Sequence, residues 1–213
     1  MTVKRIGIDT GGTFTDLILF DVDEGSISSL KVSSTPSKPL EAFIASIRQS
    51  GATPEEIAFL VHGTTVATNA LIQREGAKVA FLCTAGHEDI PYIQRVNRQY
   101  LYDLSWDKPR PLLRSRRHCF GVKERINAHG DVVVPLESDA IDVLCQQIAE
   151  GDFEAIAVCL IFSYLSTTHE ELLAAELRRR FPDIPLSVSH EVAPIWREYE
   201  RSSTTIADAY IKP

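Results

Sequence analysis

Cysteine is scarce in this sequence, and its spacing builds no framework. The four cysteines among 213 residues stand at 83, 119, 145 and 159, and no two are separated as Cys-x-x-Cys. Neither a zinc knuckle nor a thioredoxin-like redox pair is indicated. Cys83, Cys145 and Cys159 sit inside apolar patterns, as small buried residues do, so the expectation is reduced thiols in a cytoplasmic protein. Long apolar runs are missing too. The longest, AIAVCLIF at 155–162, falls far short of the roughly 20 residues a spanning helix needs. The start, MTVKRIGID, carries no apolar stretch and no signal cleavage site, so no membrane role is expected. Basic charge is in deficit: 22 Lys and Arg against 29 Asp and Glu leave a net charge of −7, the reverse of the basic stripe that nucleic acid demands. The densest basic cluster, RPLLRSRRH from Arg110 to His118, reads as a solvated face. What remains is ordinary globular material, 44% hydrophobic and 24% charged, long enough to bury a core without disulfides.

The chain opens with strand patterns. Lys4 to Ile8 and Phe14 to Phe20 flank a TGGT turn, and Ile27 to Ser33 follows the acidic turn DVDEG. Three strands in a row predict an antiparallel meander. The period then changes: Leu40, Phe43, Ile44 and Ile47 give one apolar helix face, with Ser37 as its cap, Pro39 in its first turn and Gly51 at its end. Thr53-Pro54-Glu55-Glu56 predicts a short second helix, Ala58 to Val61 a strand, and HGTTVATNALIQREG from His62 a loop running into a helix that stops at Gly76. Lys78 to Cys83 is a further strand. Residues 87–118 show no clear period and read as a lid-like loop or small insertion. Phe120 to Ile126 and Asp131 to Pro135, joined by NAHG, predict a hairpin. Ile141, Leu144, Cys145 and Ile148 give another helix. Ala155 to Phe162 reads as a strand covered on both faces, His169 to Phe181 as a helix with Leu172, Leu173 and Leu177 inward, Leu186 to Ser189 as a strand, and Trp196 to Ile211 as a last helix. The class is α/β: a meander, then alternating helices and strands, with the second half able to form its own smaller α/β layer.

The first turn, IGIDTGGTFTD from Ile6 to Asp16, bears two readings. In one, Gly11-Gly12 supply the positive φ of a type I′ hairpin, and Asp9 and Thr10 merely border it. In the other, glycines leave amide groups unshielded and form an anion-binding concavity, with Thr13 and Thr15 adding hydroxyls. Asp9 repels a bare phosphate but suits a Mg²⁺ between itself and phosphate oxygens; Asp16 could act similarly or cap a turn. This is no Walker A loop, since no Gly-Lys-Ser/Thr follows, and no dinucleotide fingerprint, since a strand follows the glycines.

A strand, Asp-x-Gly-Gly-Thr, a strand, then a third strand and a helix resembles the first phosphate loop of the actin, Hsp70 and sugar-kinase superfamily. HGTTVATNALI at 62–72, SHEVAPIWREYER at 189–201 and TTIADAY at 204–210 resemble the hydantoinase A / 5-oxoprolinase family, which also contains subunits of acetone carboxylase-type enzymes. The resemblance covers nearly the whole chain and departs from relatives at Asp208, where Asn is common. It implies a ribonuclease H-like, actin-like first lobe: a nucleotide-binding subdomain with the phosphate loop over 1–119, an α/β layer of the same lobe over 120–196, and a helix over 197–213 leading to a second lobe. It implies ATP-dependent phosphorylation of the carbonyl or enolate oxygen of a cyclic amide or a ketone, followed by ring hydrolysis or carboxylation, with ATP and Mg²⁺ as cofactors. The partners it implies are the second lobe of the same enzyme and a hydantoinase B-like subunit or domain.

Asp9, His62 and Thr64 become candidate catalytic residues, with Asp9 the Mg²⁺-associated acid acting through water. Gly11, Gly12, Thr13 and Thr15 become phosphate contacts. Thr65, Asn69, Arg197, Glu198 and Arg201 become substrate or cleft residues. Each has a plainer reading: Thr64 as a helix cap, His62 as a packed strand-end histidine, Asn69 as a helix-surface amide, and Arg197, Glu198, Glu200 and Arg201 as a solvated charged helix. A non-catalytic interaction or regulatory lobe that keeps the fold is the alternative function.

Overall fold

The structure, a computed structural model, describes residues 3–35 and 38–213; the expected cap Ser37 lies outside them. The chain divides into two compact units, Met1–Gln73 and Arg74–Pro213. Strands on both sides of residue 119 belong to one sheet in the second unit.

The first unit is the expected meander with one crossover. Strands β1 (Lys4–Thr10), β2 (Phe14–Asp21) and β3 (Ser26–Ser33) pair antiparallel, and β4 (Ile57–Thr64) returns parallel to β1 after helix α1 (Pro39–Gln49), in the order β3-β2-β1-β4. Helix α2 (Val66–Gln73) closes the unit. Alternation along β1 and β2 sends Ile6, Ile8, Leu17 and Leu19 to one face, where Phe43 and Ile47 of α1 cover them. Burying such side chains is worth about 1.5–3 kcal/mol each. Three expectations are corrected. The inner face of α1 includes the small buried residues Ala42 and Ser46, while Leu40 and Ile44 are exposed. Thr53 to Glu56 forms turns, closed by Glu56 N–H to Thr53 O (3.1 Å), not a helix. And β4 runs on through His62 and Gly63 to Thr64, which places these residues on a strand rather than in a loop.

The second unit carries a four-stranded parallel sheet, ordered β10-β9-β5-β6, from β5 (Val79–Thr84), β6 (Cys119–Val122), β9 (Ala155–Cys159) and β10 (Leu186–Val188). The central strands β5 and β9 are buried along their whole length, as the continuous apolar run at Ala155 predicts. Helices α4 (Ser138–Ala149) and α5 (Thr168–Arg180) cover one face with Leu144, Ile148, Leu173 and Leu177. Helix α7 (Glu198–Ile211) packs on β9, β5 and β10. Short helices α3 (Ile90–Ile93) and α6 (Ser189–Val192) and a 3-10 turn at Arg116–His118 fill the connections. The expected hairpin at 120–135 is smaller than drawn. Its first residues form β6 of the parallel sheet, and only β7 (Arg125–Ile126) pairs with β8 (Val132–Val134). Leu172 is exposed, not inward; its place on the buried stripe is taken by Glu170, which Leu160 N–H and Ser189 Oγ bind from the strand ends. Among the described residues no helix is long and apolar enough to cross a membrane.

Candidate functional site

The connection between β1 and β2 is three residues, Gly11 to Thr13, closed by Gly11 N–H to Phe14 O at 2.9 Å. Neither Gly11 nor Gly12 has positive φ, so the type I′ reading is corrected: these glycines are not needed for left-handed backbone. They are needed for clearance. A Cβ on Gly11 would lie 3.1 Å from Phe14 O, and one on Gly12 3.3 Å from Asn69 Nδ2. The glycine turn thus abuts the start of α2, and Thr65 N–H fastens the two by donating to Thr10 O (3.1 Å).

This juxtaposition leaves donors unused. The amide N–H groups of Gly12 and Thr13 in the turn, and of Ala67 and Thr68 in the first turn of α2, have no acceptor among the described residues. The first N–H groups of a helix lack intrahelical partners, which together with the helix dipole makes that end receptive to anions. Two glycine- and threonine-bearing loops side by side, each with two free amides, form the kind of concavity that holds phosphate.

Asp9, near the end of β1, is exposed and its carboxylate makes no bond among the described residues. Across the ladder it is the direct partner of Asp16, whose carboxylate is bound by Lys31 at 2.7 Å. On the other side lies Gly63, where a Cβ would come within 3.6 Å of Asp9 Oδ1. Two carboxylates on one strand face with an open flank suit a hard cation that keeps most of its water. Among the described residues no group of three or more His, Cys, Asp and Glu side chains is placed to hold a metal, so a cation here would rest on few protein ligands.

Strand alternation separates the other candidates. His62 is paired with Ile8 and therefore lies on the α1 side of the sheet, opposite Asp9. Its Nε2 is 3.0 Å from Thr10 Oγ1, and its ring lies 4.7 Å from that of Phe43. Thr64 donates its hydroxyl to Thr10 O (3.1 Å) and accepts Val66 N–H (3.3 Å), fixing the bend from β4 into α2. Thr15 is fully buried, with its hydroxyl 2.9 Å from Ser34 Oγ; it stands behind the turn rather than on it. Thr13, Thr65 and Asn69 stay with Gly11 and Gly12 at the mouth.

Arg197, Glu198 and Arg201 belong to the second unit. Arg201 is completely buried and donates to Leu160 O (2.8 Å) and Ile195 O (3.0 Å). Arg197 stands at the helix N-cap with φ 81° and lies over the Trp196 ring, so the two arginines do not share a face. Glu198 begins the first turn of α7. Beside it, Glu200 accepts from Arg95 Nε at 2.7 Å, and this bond holds the Glu200 carboxyl below the usual carboxylate range. Asp208 accepts from Ser187 Oγ (2.6 Å).

Sequence reasoning missed Thr10, whose buried hydroxyl meets His62, and the amides of Ala67 and Thr68. The pairing of β1 with β4 was the information needed, and no local pattern supplies it. It also missed the buried acids Glu124 and Glu170 of the second unit. Glu124 is bonded to Thr84 Oγ1 and His169, and Glu170 binds Leu160 N–H, Ser189 Oγ and His190. For Glu170 a signal existed, since it precedes Leu173, Ala174 and Leu177 at i+3, i+4 and i+7 of one buried stripe.

The chain matches the hydantoinase/oxoprolinase N-terminal region over residues 5–181. It is 37% identical over 219 residues to the caprolactamase alpha subunit of Pseudomonas jessenii, covering 98% of this chain and 31% of that one. Among solved structures it is similar to the ATP-dependent caprolactamase from the same organism (TM-score 0.80, 36% identity, 98% of this chain and 31% of that one). It is also similar to a nucleotide-free acetone carboxylase from a study of ATP-dependent acetone carboxylation (TM-score 0.84, 27% identity, 100% and 32%). The chain spans 31% of the length of some curated relatives it matches and 19% of others.

Proposed function

Because the chain belongs to the hydantoinase/oxoprolinase family, we propose that it is the nucleotide-phosphate-binding part of an ATP-dependent enzyme that activates the carbonyl oxygen of a cyclic amide or ketone. One observation carries this reading: the amides of Gly12, Thr13, Ala67 and Thr68 on two abutting loops, free among the described residues, beside the carboxylate of Asp9, which likewise has no partner among them. Bound there with Mg²⁺, ATP supplies a transferable phosphoryl group, and an amide oxygen so modified becomes a good leaving group. The chain's own contribution is positioning. The amides hold phosphate oxygens, the glycines keep the approach clear, and Asp9, with Asp16 next to it, is the carboxylate that orients the cation's water. Thr64 and Thr65 fix the α2 loop against the turn.

The remainder of the enzyme and a partner subunit complete the reaction. Two features support a partner. The relatives are about three times as long, and the sheet face opposite α1 exposes Phe14, Ile18, Phe59 and Val61, an apolar face of the kind that marks interaction surfaces. The 213-residue chain alone should therefore bind ATP with a Kd on the order of millimolar, about half the binding free energy of a micromolar site, and should not turn over.

The test is Asp9→Ala in the complete enzyme with its partner, assayed for ATP hydrolysis stimulated by cyclic amides and ketones. Loss of stimulated hydrolysis is expected. Unchanged hydrolysis would favour a non-catalytic lobe that keeps the fold.

A further inference from the structure

Directly behind the glycine turn, on the α1 side of the sheet, the first unit contains a depression of about 400 Å³ lined by Thr10, Leu40, Phe43, His62, Thr64 and Val66. This is the size range of small-molecule sites, which are mostly apolar with a few placed polar groups. Its walls are the side chains of Leu40, Phe43 and Val66. Leu40 remains 65% exposed although the helical period assigns it to the buried face, so most of its apolar surface stays outside the core. Its floor is polar and ordered. The hydroxyls of Thr10 and Thr64 are already engaged, the first with His62 Nε2 and the second with Thr10 O and Val66 N–H. His62 Nδ1 has no partner among the described residues. Whichever tautomer His62 adopts, this lining residue keeps one ring nitrogen open to hydrogen bonding, its ring held in place by Thr10 and the Phe43 ring.

No lysine or arginine lines this depression among the described residues. A ligand carboxylate placed among Leu40, Phe43 and Val66 would lose its hydration without a fixed cation to replace it. A ring of methylenes with one amide or carbonyl group fits every wall: apolar body against apolar walls, one polar group against one open nitrogen. The geometry points to this depression as the seat of the substrate's carbon skeleton, and to its substrate class as uncharged, apolar-bodied carbonyl compounds, such as simple lactams, in preference to rings that carry a carboxylate. This rests on the reading of the adjoining turn as the phosphate site. Thr10, which lines the depression, is the residue before Gly11.

The test uses the 213-residue chain and nuclear magnetic resonance, recording the His62 imidazole and the amides of residues 11–13 while ε-caprolactam, 5-oxoproline and Mg-ATP are added separately. ε-Caprolactam should shift the His62 ring signals, with 5-oxoproline at least about tenfold weaker. Leu40→Arg, at an exposed position, should reverse that order, and binding of the acid by this variant would itself show that it folds. Equal or tighter binding of 5-oxoproline by the wild type, or no response of His62 to ε-caprolactam, would overturn the proposal. Mg-ATP reports separately: a response at residues 11–13 without any lactam response would leave the phosphate reading standing and sink the substrate pocket. A lactam response alone would uphold the pocket and sink the phosphate reading.

Discussion

Asp9 and Asp16 are directly opposed residues of β1 and β2, two acids side by side on one strand face, of which Lys31 binds only Asp16. Like charges opposite one another in a sheet cost roughly 0.2–1 kcal/mol. The fold keeps the pair without need of it, which is how a site paid for in stability looks. Asp9→Asn should raise the unfolding free energy by about that amount in urea melts. In the complete enzyme it should lower ATP hydrolysis about 10- to 100-fold, the usual loss when a metal's outer partner is changed. Lost activity together with lost stability would mean that Asp9 is structural.

Thr13 and Thr15 both flank the glycine turn but should behave oppositely. Thr15 is buried against Ser34, so Thr15→Val strands a hydroxyl and should cost about 1 kcal/mol of stability with little change in nucleotide affinity. Thr13→Ala removes only an exposed side chain, should leave the melting temperature within about 1 °C, and should weaken Mg-ATP binding. Paired thermal melts and calorimetric titrations separate the two.

Glu170 holds three parts of the second unit together. Its Oε1 accepts Leu160 N–H (2.8 Å) and Ser189 Oγ (2.7 Å), and its Oε2 accepts His190 N–H (3.0 Å) and lies 2.8 Å from His190 Nδ1. Glu170→Ala leaves all of these without their acceptor and should cost about 3–5 kcal/mol, measured by chemical denaturation. A loss under about 1 kcal/mol would show the network to be dispensable.

The thiols predict an alkaline limit. Burial pushes Cys119 up to about 12 and Cys159 to about 11, from an ordinary 9.0. A folded-state value above the unfolded one means that the folded chain keeps its protons longer. The associated stability is complete below about pH 9 and is lost as pH rises through the folded values, so melting temperature should be flat to pH 9 and fall beyond it. At pH 8 the native protein should resist iodoacetamide at all four cysteines and react at four when unfolded; fast labelling of native Cys119 or Cys159 would contradict this.

Period-based reading located the meander, α1, α4, β5 and β9, because those segments bury one face or both and their composition must follow. It failed where polar residues take structural places. His62 and Gly63 look like loop but extend β4, since Thr64 ties that strand to Thr10. Leu172 looks inward, but the stripe through Glu170, Leu173 and Leu177 wins, because the carboxylate is fully bonded below it. At the candidate site, the residue types were legible and carry the proposal of phosphate chemistry, whereas their faces were legible only in part. That Asp9 and His62 diverge depends on which strand pairs with which. In hindsight Thr15 shares its parity with Leu17 and Leu19, so alternation alone assigns it inward.

The ordinary φ values of Gly11 and Gly12 carry a consequence for how this turn tolerates change. An alanine is conformationally at home at either position, so any intolerance there reports crowding alone. At position 12 the added methyl would press on the tip of a swivelling amide, Asn69, which can step aside; at position 11 it would press on the carbonyl that shuts the hairpin. A chain with alanine at 12 should thus remain well folded while its doorway narrows, which makes that position a gauge of whether anything must pass.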